Sequence, residues 1–160
     1  MTLLSFNSKY IVQSTTPVTV STSTFADDTE ASQTFTLSAT QTVLVFYQAN
    51  NTISDTIYLT GLVNAINVDG LDNASGYDSG GTTNYIVRNT CFWIGILNSG
   101  SHTIKGLIAS GTDTQAVTVS NRILLIYILN GDEFQYVDVI NNASTASSTF
   151  QNDIDSSVTF

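Results

Sequence analysis

Hydrophobic and polar residues alternate along most of the chain, in short runs separated by Gly, Asn, Asp and Ser. This spacing of two is typical of β-strands, because successive side chains of a strand point to opposite faces. Helical spacing of three to four residues is nearly absent. The pattern predicts strands at residues 9–13, 17–24, 33–38, 42–49, 56–69, 83–88, 91–97, 102–109, 115–119, 121–129 and 133–140.

The segments between these runs are rich in turn residues, and they predict loops at residues 26–30, 50–55, 70–81, 98–101, 111–114 and 130–132. Many short strands without intervening helices favour a β-sandwich or barrel over an α/β fold. We predict one all-β domain over residues 1–140, with residues 1–16 as an extended lead strand. Residues 141–160 are polar with isolated apolar positions, and they predict an arm anchored on an adjacent subunit by Phe150, Ile154 and Phe160.

Two of the predicted strands are apolar on both faces. Every residue of 43–47 is apolar or aromatic, and so are all seven residues of 123–129. A sandwich strand normally turns one apolar face to the core and one polar face to water. Left in water, each large side chain of the second face would forgo roughly 1.5 to 3 kcal/mol of burial. The candidates for a cover are a second subunit, the chain's own arm or a helix, and the pattern favours self-association through Leu44, Phe46, Leu124, Ile126 and Ile128.

Composition excludes several partners. The net charge is −9 with only four basic residues, all scattered, which argues against binding to nucleic acid or to an anionic membrane surface. No apolar run is long enough to span a membrane, and residues 1–7 lack the apolar stretch of a secretion signal. We therefore expect synthesis in a cytoplasm without export by that route. The single cysteine, Cys91, excludes an intramolecular disulfide and is expected to be a buried hydrophobe.

Catalytic constellations are weak in this sequence. His102 is the only histidine, there is no G-x-S-x-G motif, and we expect His102 to make a structural hydrogen bond that closes the preceding turn. Glu30 and Glu133 are the only glutamates, and both are expected to be solvated loop charges. The chain is accordingly predicted to be no enzyme and to need no cofactor.

Two binding chemistries stay open beside ordinary structural roles. Asp69, Asp72 and Asp78 offer oxygen ligands of the kind that calcium prefers, but their spacing is not that of an EF-hand, and a plain long loop is favoured. Trp93, Tyr77 and Tyr85 could stack on a glycan, although Trp93 lies within an apolar strand and is expected in the core or an interface.

Several segments carry a resemblance to a known family. The segments "FADDTEASQTFTL" (25–37), "TVLVFYQAN" (42–50), "NSGSHTIKG" (98–106) and "SNRILLIYIL" (120–129) follow one another as in jelly-roll modules of C1q and tumour-necrosis-factor topology. The turn pattern L-x-x-G-x-H-x-I is matched by Leu97, Gly100, His102 and Ile104, and the strand pattern R-x-L-x-I by Arg122, Leu124 and Ile126. The chain looks most similar to the versions found in structural proteins of phages and archaeal viruses.

This resemblance covers about residues 17–140 and implies an antiparallel two-sheet jelly roll that forms a homotrimer. It implies a virion structural protein, such as a capsid decoration, a turret or a tail-fibre or receptor-binding knob, with other virion proteins and a host glycan or receptor as further partners. Two alternatives stay open. One is a prokaryotic extracellular filament subunit joined by strand donation, and the other is a carbohydrate-binding β-sandwich module.

Overall fold

The computed structural model describes residues 6–52, 62–77, 86–111 and 116–129, which contain nine strands. The strands are β1 (Phe6–Ser14), β2 (Val18–Val20), β3 (Ala26–Leu37), β4 (Gln41–Thr52), β5 (Leu62–Val68), β6 (Leu71–Tyr77), β7 (Ile86–Leu97), β8 (Gly100–Ser110) and β9 (Val117–Leu129). The predicted strand 133–140 and the arm with Phe150, Ile154 and Phe160 lie outside the described residues.

The nine strands form two antiparallel sheets. The first sheet has the order β1-β9-β4-β7, with the short β2 paired to the other end of β9, and the second has the order β3-β8-β5-β6. Strands that follow one another along the chain therefore alternate repeatedly between the sheets, as in a two-sheet jelly roll. The prediction of an all-β antiparallel sandwich of jelly-roll topology is confirmed.

The core lies between the two sheets and takes alternate residues from each strand. In the first sheet Val43, Val45 and Tyr47 of β4 are fully buried, in register with three apolar residues of β9. Those three residues are Leu124, Ile126 and Ile128, with 0%, 0% and 3% of their surface exposed. Their assignment to an interface is wrong, because they fill the core of their own chain. When a run is apolar on both faces, the sequence does not show whether its odd-numbered or its even-numbered side chains point into the core.

Two predicted loops are strands. Residues 26–30 begin β3, and most of residues 70–81 form β6, which pairs with β5 across a turn at Asp69 and Gly70. Asp69 and Gly70 have φ of 53° and 88°, as a two-residue hairpin turn requires. Both segments are poor in large apolar residues, which is why their pattern indicated loops. Two pairs of separately predicted strands each merge into one strand. Residues 86–88 and 91–97 belong to β7, and residues 117–119 and 121–129 belong to β9, while residues 83–85 and 115 lie outside the described residues.

Irregular pairing on β3 and β9 brings charged residues into the interior. On β9 the pairing with β4 shifts between Ser120 and Ile123, around Asn121, which has a φ of 49°. Before the shift the odd-numbered side chains of β9 point into the core, and after it the even-numbered ones do. Val119 and Arg122 are therefore both buried. On β3 the pairing with β8 shifts between Asp27 and Ser32, and residues 28–31 bulge out of the regular ladder.

One close contact between the sheets depends on a glycine. A Cβ atom on Gly106 of β8 would lie 2.5 Å from the ring of Tyr47, which reaches across from β4. Only a residue without a side chain leaves room for that ring. With the ring in this position, the Tyr47 hydroxyl donates a hydrogen bond to Asp28 Oδ2 over 2.9 Å.

Candidate functional site: the outer face of the first sheet

The side chains of the first sheet that point away from the core form a continuous apolar surface. The strand register aligns Ile11 with Leu125, Leu125 with Phe46, and Phe46 with Phe92, so that one row crosses all four strands. A second row aligns Lys9, Tyr127, Leu44 and Ile94, and Ile123 continues the surface on β9. We call this surface the outer face, and its apolar members are Ile11, Leu44, Phe46, Phe92, Ile94, Ile96, Ile123, Leu125 and Tyr127.

The edges of the outer face are open to solvent. Phe92 and Ile96 on β7 are 61% and 64% exposed, and Ile11 on β1 is 52% exposed. The members on the central strands are half-buried by their neighbours. Phe46 and Phe92 lie side by side, with ring centroids 6.3 Å apart. Beside Ile96 the face ends at Thr42 and Leu129, which are buried.

The size of the outer face follows from the spacing of the strands. Neighbouring strands lie about 4.8 Å apart, so four strands span about 14 Å, and successive rows on one face are about 7 Å apart. With the side chains included, the two rows and the flanking residues Ile96 and Ile123 cover an area on the order of 400 Å². The largest apolar patch on an ordinary monomer covers about 300 to 600 Å² and is often functional, and the outer face falls in this range.

Charge is distributed unevenly around the described part of the sandwich. Lys9 is the one charged residue in the rows of the outer face, and no Asp or Glu lies there. The acidic residues that the structure describes all belong to the second sheet or its turns, namely Asp27, Asp28, Glu30, Asp69 and Asp72. Among the described residues the outer face is therefore free of acid, in a chain with a net charge of −9.

Of the residues that the sequence assigned to an interface, some lie on the outer face and the others lie in the core. Leu44 and Phe46 lie on the outer face, while the three β9 residues in the assignment lie in the core. Sequence reasoning missed Ile11, the β9 residues Ile123, Leu125 and Tyr127, and the β7 residues Phe92, Ile94 and Ile96. The signal for the β7 residues was present, because residues 91–97 are apolar at nearly every position.

A buried ion cluster lies inside the sandwich. Arg122, with 1% of its surface exposed, places Nε 2.7 Å from Asp28 Oδ2, and its Nη2 donates to Glu30 Oε2 over 2.8 Å. Nη2 also donates to the Ser14 hydroxyl, and Nη1 donates to the carbonyls of Thr16 and Val119. Burial, followed by the charge of Asp28, raises the pKa of Tyr47. The prediction of Glu30 as a solvated loop charge is wrong, because Glu30 lies in β3 and pairs with Arg122.

His102 has the structural role that the sequence predicted. Nε2 is 2.8 Å from the carbonyl oxygen of Asn98, which closes the turn before β8, and Nδ1 is 2.7 Å from Asp69 Oδ2. Partial burial alone would lower the pKa of His102, but the bonds to Asp69 and Asn98 and the charge of Asp69 outweigh it and raise that pKa.

The candidate calcium ligands already have protein partners. Asp69 accepts from His102 and from the backbone N–H of Thr103, and Asp72 accepts from the side-chain amide of Asn67. Asp78 lies outside the described residues. Within the described ranges, no group of three or more His, Cys, Asp or Glu side chains could hold a metal ion. Calcium binding stays a prediction.

The candidate glycan contacts do not meet at one described surface. Trp93 lies on the inner side of β7, half-buried against the core, and its ring occupies the space where a Cβ on Gly95 would stand. Tyr85 and the side chain of Tyr77 are outside the described part of the chain. On the second sheet, Asn67, Asp69, Gly70, Ser101, Thr103 and Lys105 line an open polar depression of about 610 Å³. Glycan contact stays a prediction.

No helix among the described residues is long and apolar enough to cross a membrane. No protein-family model matches the sequence, and no curated protein matches it significantly.

Three solved structures are similar in overall fold. The CBM36-1 domain of a multidomain xylanase from the hindgut metagenome of Trinervitermes trinervoides is 15% identical with a TM-score of 0.41, over 74% of this chain and 96% of that chain. A chain of the infectious bursal disease virus Gx strain is 8% identical with a TM-score of 0.43, over 79% and 33%. Eiger TNF from S. frugiperda is 8% identical with a TM-score of 0.40, over 79% and 99%. Similarity at these scores does not extend to a site or a function.

Proposed function

We propose that this protein is a non-enzymatic structural module that assembles with copies of itself through the outer face. The observation that carries the proposal is the continuous apolar row of Ile11, Leu125, Phe46 and Phe92 across all four strands of the first sheet. A sheet in a sandwich needs only one apolar face to fold, so the exposed part of the second apolar face is available for contact with another molecule.

Burial energies support association. Fully burying a Leu, Ile or Phe side chain is worth about 1.5 to 3 kcal/mol. Ile11, Phe92 and Ile96 each keep more than half of their surface exposed. Covering these three therefore contributes about 3 kcal/mol for each copy, before the half-buried central residues are counted. Two copies bring such surfaces together on both sides of the contact.

Charge favours a second copy of this chain as the partner. Two copies with a net charge of −9 repel each other wherever their acidic surfaces meet. The outer face is the side of the described sandwich without Asp or Glu, so contact there keeps the described acids of the second sheet apart. Three copies is the number that the sequence resemblance implies, and a virion is the setting that it implies.

Two alternatives stay open beside self-assembly. In strand donation either the N-terminal segment or the arm at residues 141–160 completes a neighbour's sheet. β1 pairs with β9 of its own chain from Phe6 to Ser14, and the arm lies outside the described residues. A glycan site centred on Trp93 would need its ring on the surface, and the ring packs against the core.

Two substitutions that introduce a charge test the proposal. Phe92→Asp places a carboxylate on the outer face, and Leu71→Asp places one at a side chain on β6 that is 72% exposed. Both positions are exposed, so both variants are expected to fold. We expect light scattering to give a mass of 17.2 kDa for Phe92→Asp and the oligomer mass for Leu71→Asp and the unmodified protein. Equal oligomer masses for all three proteins would refute the outer face as the interface.

A further inference from the structure

The two strand orders end in four edge strands, β1 and β7 in the first sheet and β3 and β6 in the second. An edge strand presents unpaired backbone N–H and C=O groups, and proteins protect such edges with charged side chains, bulges or short strands. Three of the four edges are protected in this way. β1 carries Lys9 and a register shift between Phe6 and Ser8, β3 carries three acids and a bulge, and β6 has only seven residues, one of them Asp72.

β7 has none of these protections at residues 92–96. It pairs with β4 over twelve residues without a register shift, and its only charged residue is the third from its start. Near that start the Asn64 side chain of β5 donates to the Asn89 carbonyl over 3.1 Å, which holds this part of β7 to the second sheet. Further along, Phe92 and Ile96 are 61% and 64% exposed. In the described part of the chain, β7 therefore ends the first sheet with a regular, uncharged and apolar edge.

The sequence of this edge is complementary to itself in the antiparallel direction. A twofold axis through Ile94 places Phe92 opposite Ile96 of a second copy, and the two Ile94 residues opposite each other. Residues directly opposite in antiparallel strands lie on the same face, about 4.5 to 5.5 Å apart, so these pairs join apolar side chains on the outer face. On the inner side Trp93 lies opposite Gly95. Because the Trp93 ring already covers Gly95 of its own strand, the two indole rings come side by side.

We propose that a second copy of this chain adds its own β7 to the β7 edge, antiparallel about Ile94, so that the two first sheets become one continuous sheet. This joint rests on the proposed self-assembly, since it names how two copies meet. Charge selects the partner. An acidic strand would meet the repulsion of a chain with a net charge of −9, and a basic strand would find no acid at residues 92–96. An uncharged apolar strand fits, and β7 is such a strand.

The joint also doubles the outer face. The row of Ile11, Leu125, Phe46 and Phe92 continues into Ile96 of the second copy. Two joined copies present a surface of about 800 Å², twice that of one copy. Stable protein interfaces bury about 800 Å² on each partner, an area that one outer face does not reach alone. A joined pair can therefore pack on another pair, and the joint predicts an even number of copies, whereas the sequence resemblance implies three.

Cysteine cross-linking tests the joint in the full chain. In a Cys91→Ala background each introduced thiol is the only one. Ile94→Cys places two thiols opposite each other on the axis, whereas Ile96→Cys is the matched control, with its thiols about 14 Å apart. With a bifunctional thiol reagent whose reach lies between these distances, we expect about tenfold more covalent dimer from Ile94→Cys. A mixture of Phe92→Cys and Ile96→Cys proteins should also cross-link, although neither does alone.

Light scattering on the unmodified protein separates the joint from the proposed function. An even number of copies, together with cross-linking at Ile94 and in the mixture, supports both. An oligomer with an odd number of copies, or one in which Ile96→Cys cross-links as well as Ile94→Cys, overturns the joint and leaves self-assembly in place. An oligomer that does not cross-link at Ile94 has the same consequence. A monomer overturns both.

Discussion

Arg122 is held where a charged side chain is costly. Its side chain is 0% exposed and that of Asp28 is 1% exposed, so both ions have lost their hydration. The arrangement is tolerable because the guanidinium also donates to Glu30, Ser14 and two backbone carbonyls. Such a network fixes the relative position of β3 and β9, because neither bulge can shift without leaving an ion unpaired.

Removing the guanidinium should destabilise the fold strongly. Arg122→Met keeps the volume but leaves the Asp28 carboxylate buried without its counter-ion, and we expect a loss of about 3 to 5 kcal/mol in the free energy of unfolding. Lys105→Met is the matched control, because Lys105 and Asp27 are 34% and 50% exposed, and it should cost less than about 1 kcal/mol. Urea denaturation measures both, and similar losses for the two variants would contradict the account.

At the scale of the element, β9 depends on the irregularity at Asn121. The positive φ there lets the strand pair with β4 on both sides of the shift while Val119 and Arg122 both point inward. Asn is among the few residues that adopt this conformation at low cost. The residue therefore determines which side chains of β9 lie in the core and which lie on the outer face.

Substitutions at Asn121 should separate backbone conformation from packing, because its side chain is exposed. We expect Asn121→Val to lose about 1 to 2 kcal/mol, since a β-branched residue resists positive φ. Asn121→Gly should stay near the parent stability, and Ser120→Val, next to it at negative φ, should be tolerated. Thermal unfolding is the measurement, and a stable Asn121→Val protein would show that the bulge is not required.

Much of the fold could be predicted from the sequence, and the failures have physical causes. The apolar-rich runs at residues 42–49 and 102–109, each bounded by turn residues, located β4 and β8 closely. The pattern missed the start of β3, where Asp28 and Glu30 are retained by Arg122, which lies more than ninety residues away in the chain. A pattern read locally contains no information on such a partner.

The candidate site was predicted only in part, again because the sequence pattern does not contain the pairing of distant strands. Double-sided apolar strands correctly indicated a second hydrophobic surface, and Leu44 and Phe46 lie on it. The sequence could not show which residues of 123–129 lie on this surface. Odd- and even-numbered positions are both apolar there, and the irregularity at Asn121 changes which of the two sets points into the core. The contribution of Phe92 and Ile96 depends on the pairing of β7 with β4, which only the structure provides.

At the scale of the whole molecule, the described sandwich has one apolar side and one acidic side. Assembly through the apolar side is driven by burial and opposed by repulsion between acidic copies. Salt screens that repulsion, since the Debye length falls from about 10 Å at 0.1 M to about 3 Å at 1 M. An oligomer held by apolar contacts should therefore persist or strengthen at high salt, whereas one held by ion pairs should dissociate.

Sedimentation equilibrium of the unmodified protein, over a range of protein concentrations at low and high salt, tests this account most directly. We predict that the oligomer has a mass of at least twice 17.2 kDa, with association unchanged or tighter at high salt. A mass of 17.2 kDa at every concentration and salt level would contradict self-assembly through the outer face.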